Sequence, residues 1–255
     1  MRHDIVILAG ESRWTWAVVN ALRSHFGDPA VILETQQPVG RFWRRRVGRL
    51  GLGTVAGQIA FGLFAKLLRP RYRRQENAIL AREKLDVTPR HTGIVPVSSI
   101  NDNRTIELLQ ELKPQVVVVS QTRILSRRVL ECIPAVFLNV HTGITPAYRG
   151  LHGAYWALAN GDAGNCGVTV HIVDPGVDTG PVVTQARINP APADSYFTYH
   201  WLQLAAALSL LIRAVADALA GQLVTSEPAG AVTSRQYYHP TLWGYLWTGW
   251  RRGVW

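Results

Sequence analysis

Four consecutive valines, Val116 to Val119, held between Gln115 and Ser120, constrain this chain more than any other feature. A short β-branched run of this kind reads as a strong buried strand. Similar runs recur at Ile5 to Ala9, ending in Gly10, at Pro29 to Glu34, at Ala135 to Val140 and at Val182 to Ile188. Gly167 to Val173 is a further strand with alternating character. Helical patterns separate them at Trp14 to Ser24, Leu108 to Leu112, Arg127 to Cys132 and Ala154 to Asn160. A long Ala- and Leu-rich helix follows at Leu202 to Gly221. Strands divided by helices predict an α/β fold, with a mostly parallel sheet flanked by helices and joined by crossovers. Sites in such folds gather at the carboxyl ends of the strands. The 255 residues suffice for one sizeable core with a small appendage.

Two regions depart from this alternation. In residues 41–75, Arg41, Arg44, Arg45, Arg46 and Arg49 precede an uncharged run from Leu50 to Ala65, and Lys66, Arg69, Arg71, Arg73 and Arg74 follow it. No acidic residue interrupts the segment. The uncharged run is shorter than a membrane span and contains Gly51, Gly53, Gly57 and Gly62. It is expected to form a basic helical insertion, with an apolar face on the domain and arginines in water. A surface for acidic lipid headgroups or another polyanion is the functional alternative. The second region is the tail, residues 222–255, an aromatic-rich extension to a catalytic domain spanning 1–221. Four of the nine tryptophans, Trp243, Trp247, Trp250 and Trp255, lie there. They are expected to pack on the parent domain, with subunit pairing or a membrane interface as alternatives.

The chemistry-bearing residues cluster near the middle of the chain. Asn139 and His141 are two apart at the end of a strand, so their side chains point the same way while the chain stays extended. An imidazole can accept a proton from an amine or return one to a leaving group. An amide can hydrogen-bond a carbonyl oxygen that turns negative as its carbon becomes tetrahedral. Asp178, in the glycine-containing loop from Asp174 to Gly180, can stabilise a protonated His141 or order a water beside it. Together they form equipment for moving an acyl group onto an amine. His171 falls inside the alternating strand and is assigned to structure. Cys132 and Cys166 form neither a disulfide framework nor a metal-ligand spacing, and proton transfer by this trio needs no metal. They read as buried thiols of a reducing compartment.

From Gln115 to Val183, and weakly from Ile5 to Ser12, the chain resembles the formyltransferases that use 10-formyltetrahydrofolate. These include glycinamide ribonucleotide transformylase, methionyl-tRNA formyltransferase and sugar-nucleotide N-formyltransferases. The family's Asn-x-His matches Asn139 to His141, its Tyr-Arg-Gly matches Tyr148 to Gly150, and its Asp-x-Gly matches Asp178 to Gly180. Its Arg-Ile-Leu matches Arg123, Ile124 and Leu125. The resemblance implies a Rossmann-like fold and direct formyl transfer, with Asn139 supporting the oxyanion, His141 managing the proton and Asp178, not Asp174, setting its ionisation. It implies that Arg123, Ile124 and Leu125, with Val177, Thr179 and Gly180, hold the folate. On the acceptor side it implies Gly10, Ser12 and Arg13 of the first turn, and Thr142, Tyr148 and Arg149. Two departures stand out. The common Pro-Ser-Leu-Leu-Pro after the histidine is Thr142-Gly143-Ile144-Thr145-Pro146 here, and Glu11 interrupts the first glycine turn.

The formal charge of +10 favours anionic partners, among them nucleotide-sugars, folate polyglutamate tails, RNA and acidic membranes. With the arginines and tryptophans, it points to an amino sugar on a nucleotide or lipid diphosphate as acceptor. The segment after Gly221 is too short for the OB-like domain usual in the tRNA enzymes, which disfavours a tRNA acceptor. A formyltransferase for another small amine, a formyltetrahydrofolate hydrolase and a non-catalytic membrane-associated protein of the same fold are the alternatives. The amino terminus lacks signal-peptide character, so a cytoplasmic location is expected, with peripheral contact at the inner membrane face and homodimerisation both open.

Overall fold

The computed structural model describes residues 4–35, 46–90, 93–226 and 233–255, so Arg41, Arg44 and Arg45 lie outside the described residues. In chain order the elements are β1 (Ile5–Gly10), α1 (Arg13–Phe26), β2 (Ala30–Glu34), α2 (Leu52–Arg82), β3 (Ile94–Val97), α3 (Asn103–Leu112) and β4 (Val116–Ser120). There follow α4 (Arg127–Leu130), β5 (Val136–His141), β6 (Arg149–Gly150), α5 (Gly153–Ala159), β7 (Gly167–Ile172), β8 (Val182–Arg187), α6 (Tyr199–Leu219), β9 (Gln236–Tyr237) and α7 (Leu242–Arg252).

Seven strands form the main sheet in the order β3-β2-β1-β4-β5-β7-β8. The first five run parallel, and β7 and β8 close that end antiparallel. The valines of β4 lie at the centre, between β1 and β5, and are buried on both faces. That is why this stretch reads as an unbroken apolar run rather than an alternation. Helices α1 and α6 and the carboxyl half of α2 cover one face, where Trp16, Ile79, Leu80, Trp201 and Leu204 join β1 and β4 in one core. Helices α3 and α4 cover the other, through Leu108, Leu109 and Val129.

Within the helical insertion expected at 41–75, a helix is found from Leu52 onward. Helix α2 runs on to Arg82, and its last turns bury Ile79 and Leu80 in the main core. It is the crossover from β2 to β3, extended at its amino end. Residues 52–75 of that stretch are therefore the projecting part of a core helix. The carboxyl half is anchored by Glu76, which is buried and paired with Arg13 at 3.5 Å and Arg69 at 3.9 Å.

The tail folds back on the domain. Strand β9 pairs with β6, placing Gly150 opposite Tyr237. Helix α7 begins at Thr241, whose hydroxyl accepts from the Gly244 amide as an N-cap. It lies against the projecting half of α2, where a β-carbon on Gly57 would come within 2.3 Å of the Trp243 ring. A third apolar cluster around Phe61, Tyr155 and Tyr245 fills the space between these helices and α5.

Candidate active site

The site lies at the carboxyl ends of β4 and β5, where the parallel part of the sheet meets the antiparallel part. Strand β5 carries Asn139 and His141, and β7 runs antiparallel beside it with His171 opposite Asn139. The register of β7 against β8 shifts between Val170 and His171, an irregularity of the kind that re-aims a side chain. The Asn139 amide nitrogen lies 3.1 Å from His171 Nε2. His171 Nδ1 lies 2.8 Å from the Ile172 carbonyl, which can only accept. Nδ1 therefore carries a hydrogen, and Nε2 accepts from the amide. That bond turns the NH2 end of Asn139 towards the imidazole and leaves its second hydrogen for another acceptor.

Asp178 stands at the junction. It has φ of +51°, a left-handed conformation that non-glycine residues seldom adopt. Its Oδ2 accepts from the Gly150 amide at 2.9 Å and lies 3.2 Å from His141 Nδ1, while Oδ1 lies 3.6 Å from His171 Nε2. Burial alone would raise its pKa. The adjacent imidazoles and the Gly150 amide outweigh that effect and bring it down to about 2.

His141 is buried behind Asp178 rather than open to the cleft. Its Nε2 donates to the Tyr148 carbonyl at 2.6 Å. Burial pushes its pKa below the ordinary value, against the opposing pull of Asp178 and the Tyr148 carbonyl. With Nε2 donating to the Tyr148 carbonyl, the ring meets Asp178 through Nδ1, and that contact is a hydrogen bond once Nδ1 holds a proton. Asn139 lines the cleft, and the buried His141 meets Asp178 at its edge.

The cleft runs between the 121–125 loop after β4 and the Asp174 to Asp178 loop after β7, with Asn139, His171 and Val173 at its base. Arg123, Ile124, Leu125 and Val177 line it. The 121–125 loop is held from below by Glu34, a residue that no sequence motif singles out. This buried carboxylate accepts from the Ile100 amide at 2.7 Å and the Arg123 amide at 3.3 Å, and pairs with the Arg123 guanidinium. Asn101 adds a bond to the Ile124 carbonyl at 3.0 Å.

Most of the other residues expected at the site also make contacts within the protein. The Thr179 hydroxyl is taken by Asp174, at 2.7 and 2.8 Å from its two oxygens, and Gly180 permits close approach to the Ile172 carbonyl. The Tyr148 side chain turns into the interior, where its hydroxyl donates to Asp162. The Arg149 guanidinium clamps the acidic loop by donating to the Val177 carbonyl at 2.9 Å. Ser12 is the N-cap of α1, Arg13 turns towards Glu76 and Trp201, and Gly10 makes room for the Gln121 carbonyl. Thr142 is half-buried beside the site and does not line the cleft.

The departure at Gly143 has a local cause. A β-carbon there would fall 2.2 Å from the Tyr148 carbonyl and 2.7 Å from His141 Nε2, the two atoms already bonded to each other. The serine common at this place in the family would not fit this backbone.

The arrangement supplies an amide donor, two imidazoles and an ionised carboxylate beside a cleft with apolar walls and backbone edges. That set suits proton transfer and oxyanion support during acyl transfer. The chain is 34% identical over 108 residues to methionyl-tRNA formyltransferase of Desulforamulus reducens, a match covering 42% of this chain and 34% of that protein. Its fold resembles glycinamide ribonucleotide transformylase 1 of Symbiobacterium toebii, with a TM-score of 0.57 and 20% identity, covering 92% of both chains. It also resembles a sugar N-formyltransferase of Shewanella sp., with a TM-score of 0.56 and 12% identity over 91% of this chain and 76% of that one. A family profile described as formyl transferase matches residues 73–215, from the carboxyl half of α2 to the last turns of α6 and across every residue of the cleft. The chain belongs to the formyl transferase family, with its Rossmann-like sheet and flanking helices.

Proposed function

We propose that this chain moves a formyl group from 10-formyltetrahydrofolate to a primary amine. The observation that carries the reading is the pairing of Asn139 with His171 at the base of the cleft, beside Asp178 and the buried His141 behind it. The folate supplies the activated formyl group on N10. The residues of the cleft fit it: Ile124, Leu125 and Val173 offer apolar walls to a flat ring, and the two loops offer backbone edges for its polar rim.

Asn139 donates its remaining amide hydrogen to the formyl oxygen as negative charge develops there. Asp178 receives the proton shed by the attacking amine, directly or through a water, and His141 Nδ1 takes it up behind the carboxylate. The amine nitrogen bonds to the formyl carbon, the bond from that carbon to N10 breaks, and N10 leaves with a proton returned by the same route. No enzyme-bound acyl intermediate is required.

The acceptor is the finer question. The D. reducens relative favours an aminoacyl-tRNA, because that protein is a methionyl-tRNA formyltransferase. The amino-sugar reading rests on the excess of arginine and the aromatic tail. The free thiols of Cys132 and Cys166 suit a reducing, cytoplasmic setting for either. The test supplies 10-formyltetrahydrofolate with methionyl-tRNA, glycinamide ribonucleotide or a panel of amino-sugar nucleotides, following tetrahydrofolate release and acceptor mass. A formyl mass gain on one acceptor, lost in Asn139→Ala and Asp178→Ala, is expected. Folate turnover without acceptor would replace the transferase with a hydrolase. No turnover with any acceptor, by a protein that still binds the folate, would leave a binding protein.

A further inference from the structure

The catalytic reading leaves the outer face of the α2–α7 pair without a role. On α2, Leu52, Ala56, Ile59, Leu63 and Leu67 follow one another at spacings of three and four, a single stripe along the helix. It lies opposite the stripe that α2 buries through Gln58, Phe61 and Glu76. The outer leucines are open to solvent, Leu52 at 75% and Leu67 at 79% exposed. Helix α7 repeats the arrangement. Tyr245 and Gly249 are buried, while Trp243, Leu246, Trp247 and Trp250 point outwards at i, i+3, i+4 and i+7, Trp250 at 72% exposed. The two helices touch where Trp243 lies on Gly57, so the stripes belong to adjoining surfaces.

Charge follows the same line. Continuing the α2 stripe past Leu67 brings in Arg73 and Arg74, with Lys66 beside it, and α7 ends in Arg251 and Arg252. The Arg251 guanidinium lies over the Trp247 ring, 5.9 Å from its centre. Between Leu52 and Gln75, and throughout α7, no aspartate or glutamate occurs. Glu76, the first acid after that stretch, faces inwards and is already paired.

We infer that this face docks on an anionic lipid bilayer. Exposed tryptophans and leucines backed by arginine are the composition of an interfacial helix: the apolar stripe enters the headgroup boundary and the cations meet lipid phosphates. A second copy of the chain fits poorly, because a self-complementary contact would bring the same cations face to face. A nucleic acid would meet the arginines and stack on the tryptophans, yet leave Leu52, Ile59, Leu63 and Leu67 without an apolar partner. The surface is also tied to the site: β9 joins α7 to β6, whose Gly150 amide holds Asp178.

The experiment is co-sedimentation of the full chain with vesicles of phosphatidylcholine alone and with equimolar phosphatidylglycerol, with tryptophan emission recorded alongside. Binding to the anionic vesicles with a blue shift is expected, and the double variant Trp247→Glu/Trp250→Glu should lose at least about tenfold in partitioning. Arg73→Glu/Arg74→Glu should lose a comparable factor, at about one charge contact each. Circular dichroism and folate binding of these variants should match the parent, since none of the four residues touches the cleft. Failure of the parent chain to bind anionic vesicles would overturn the inference. So would equal binding by the variants, or a concentration-dependent dimer abolished by Trp250→Glu, which would give the face to a second copy. Tighter binding to a generic RNA with the same dependence on Trp247 and Trp250 would give it to nucleic acid and count equally against the bilayer.

Discussion

Asn139 and His171 face each other across the antiparallel pair of β5 and β7, with the amide nitrogen 3.1 Å from Nε2 of the imidazole. The Ile172 carbonyl fixes the hydrogen on the far nitrogen, so the imidazole dictates which end of the amide points where. His171 is thus a positioning residue for the group proposed to support the oxyanion. Replacing it with alanine should lower kcat by about one to two orders of magnitude, the scale of a misaligned oxyanion donor. KM for the folate should change little, because the loops that hold it are untouched. Steady-state kinetics on His171→Ala and Asn139→Ala check this. Equal kcat in His171→Ala and the parent would remove His171 from the mechanism.

The Asp178–His141 pair makes a signed prediction about pH. The proposed base is neutral His141, and burial lowers its pKa from the ordinary value while Asp178 raises it. The rate should therefore fall as pH drops through a limb below the ordinary imidazole range, where His141 can no longer take up a proton. Asp178→Asn removes the upward influence, so the residual activity should show this limb at lower pH, under a plateau reduced about a hundredfold or more. The measurement is kcat/KM against pH for both proteins. A limb that moves to higher pH in Asp178→Asn would show that His141 does not act as the base.

Glu34 should matter although it lies beneath the cleft. It holds two backbone amides and the Arg123 guanidinium, and so fixes the loop whose edge is proposed to meet the folate ring. Glu34→Gln keeps the shape and removes the charge, which weakens charge-assisted bonds by about 1–2 kcal/mol. Folate affinity should fall about five- to thirtyfold, with kcat at saturation nearly unchanged. Isothermal titration with a reduced folate tests it, and unaltered affinity would mean that the loop holds its shape without Glu34.

Much of this architecture is legible in the order of the amino acids. The buried strands announce themselves because central parallel strands bury both faces, so β1, β4 and β5 appear as apolar runs. The spacing of Asn139 and His141 and the Asp178 loop can be found in the same way. His171 resists such reading for a physical reason: alternation shows that it lies on one face of a strand, but not which residue stands opposite. That depends on the register of β7 against β5 and on the irregularity at Val170. Glu34 is hidden likewise, since a carboxylate at a strand end looks solvent-facing until Ile100 and Arg123 are brought to it from distant loops. The extent of α2 is obscured because its projecting half is apolar on both faces, which erases the usual amphipathic signal.

Gly143 gives the most local test of how the site is built. It lies between the Tyr148 carbonyl and His141 Nε2, and the 2.6 Å bond between those atoms leaves no space for a side chain. A methyl group at this position meets backbone on one side and the buried imidazole on the other, so neither neighbour can swing away cheaply. Gly143→Ala should destabilise the fold by about 1–3 kcal/mol, the usual cost of overpacking. It should also displace His141 from Asp178. The expected kinetic signature is a fall in kcat of about a hundredfold with the acidic limb of the pH profile displaced, since the balance of burial and carboxylate at His141 changes. Thermal denaturation and a pH–rate profile on the same preparation separate the two effects. A variant that loses stability but keeps the parent's kcat and pH limb would show that the Tyr148 carbonyl contact merely packs the imidazole and does not set its chemistry.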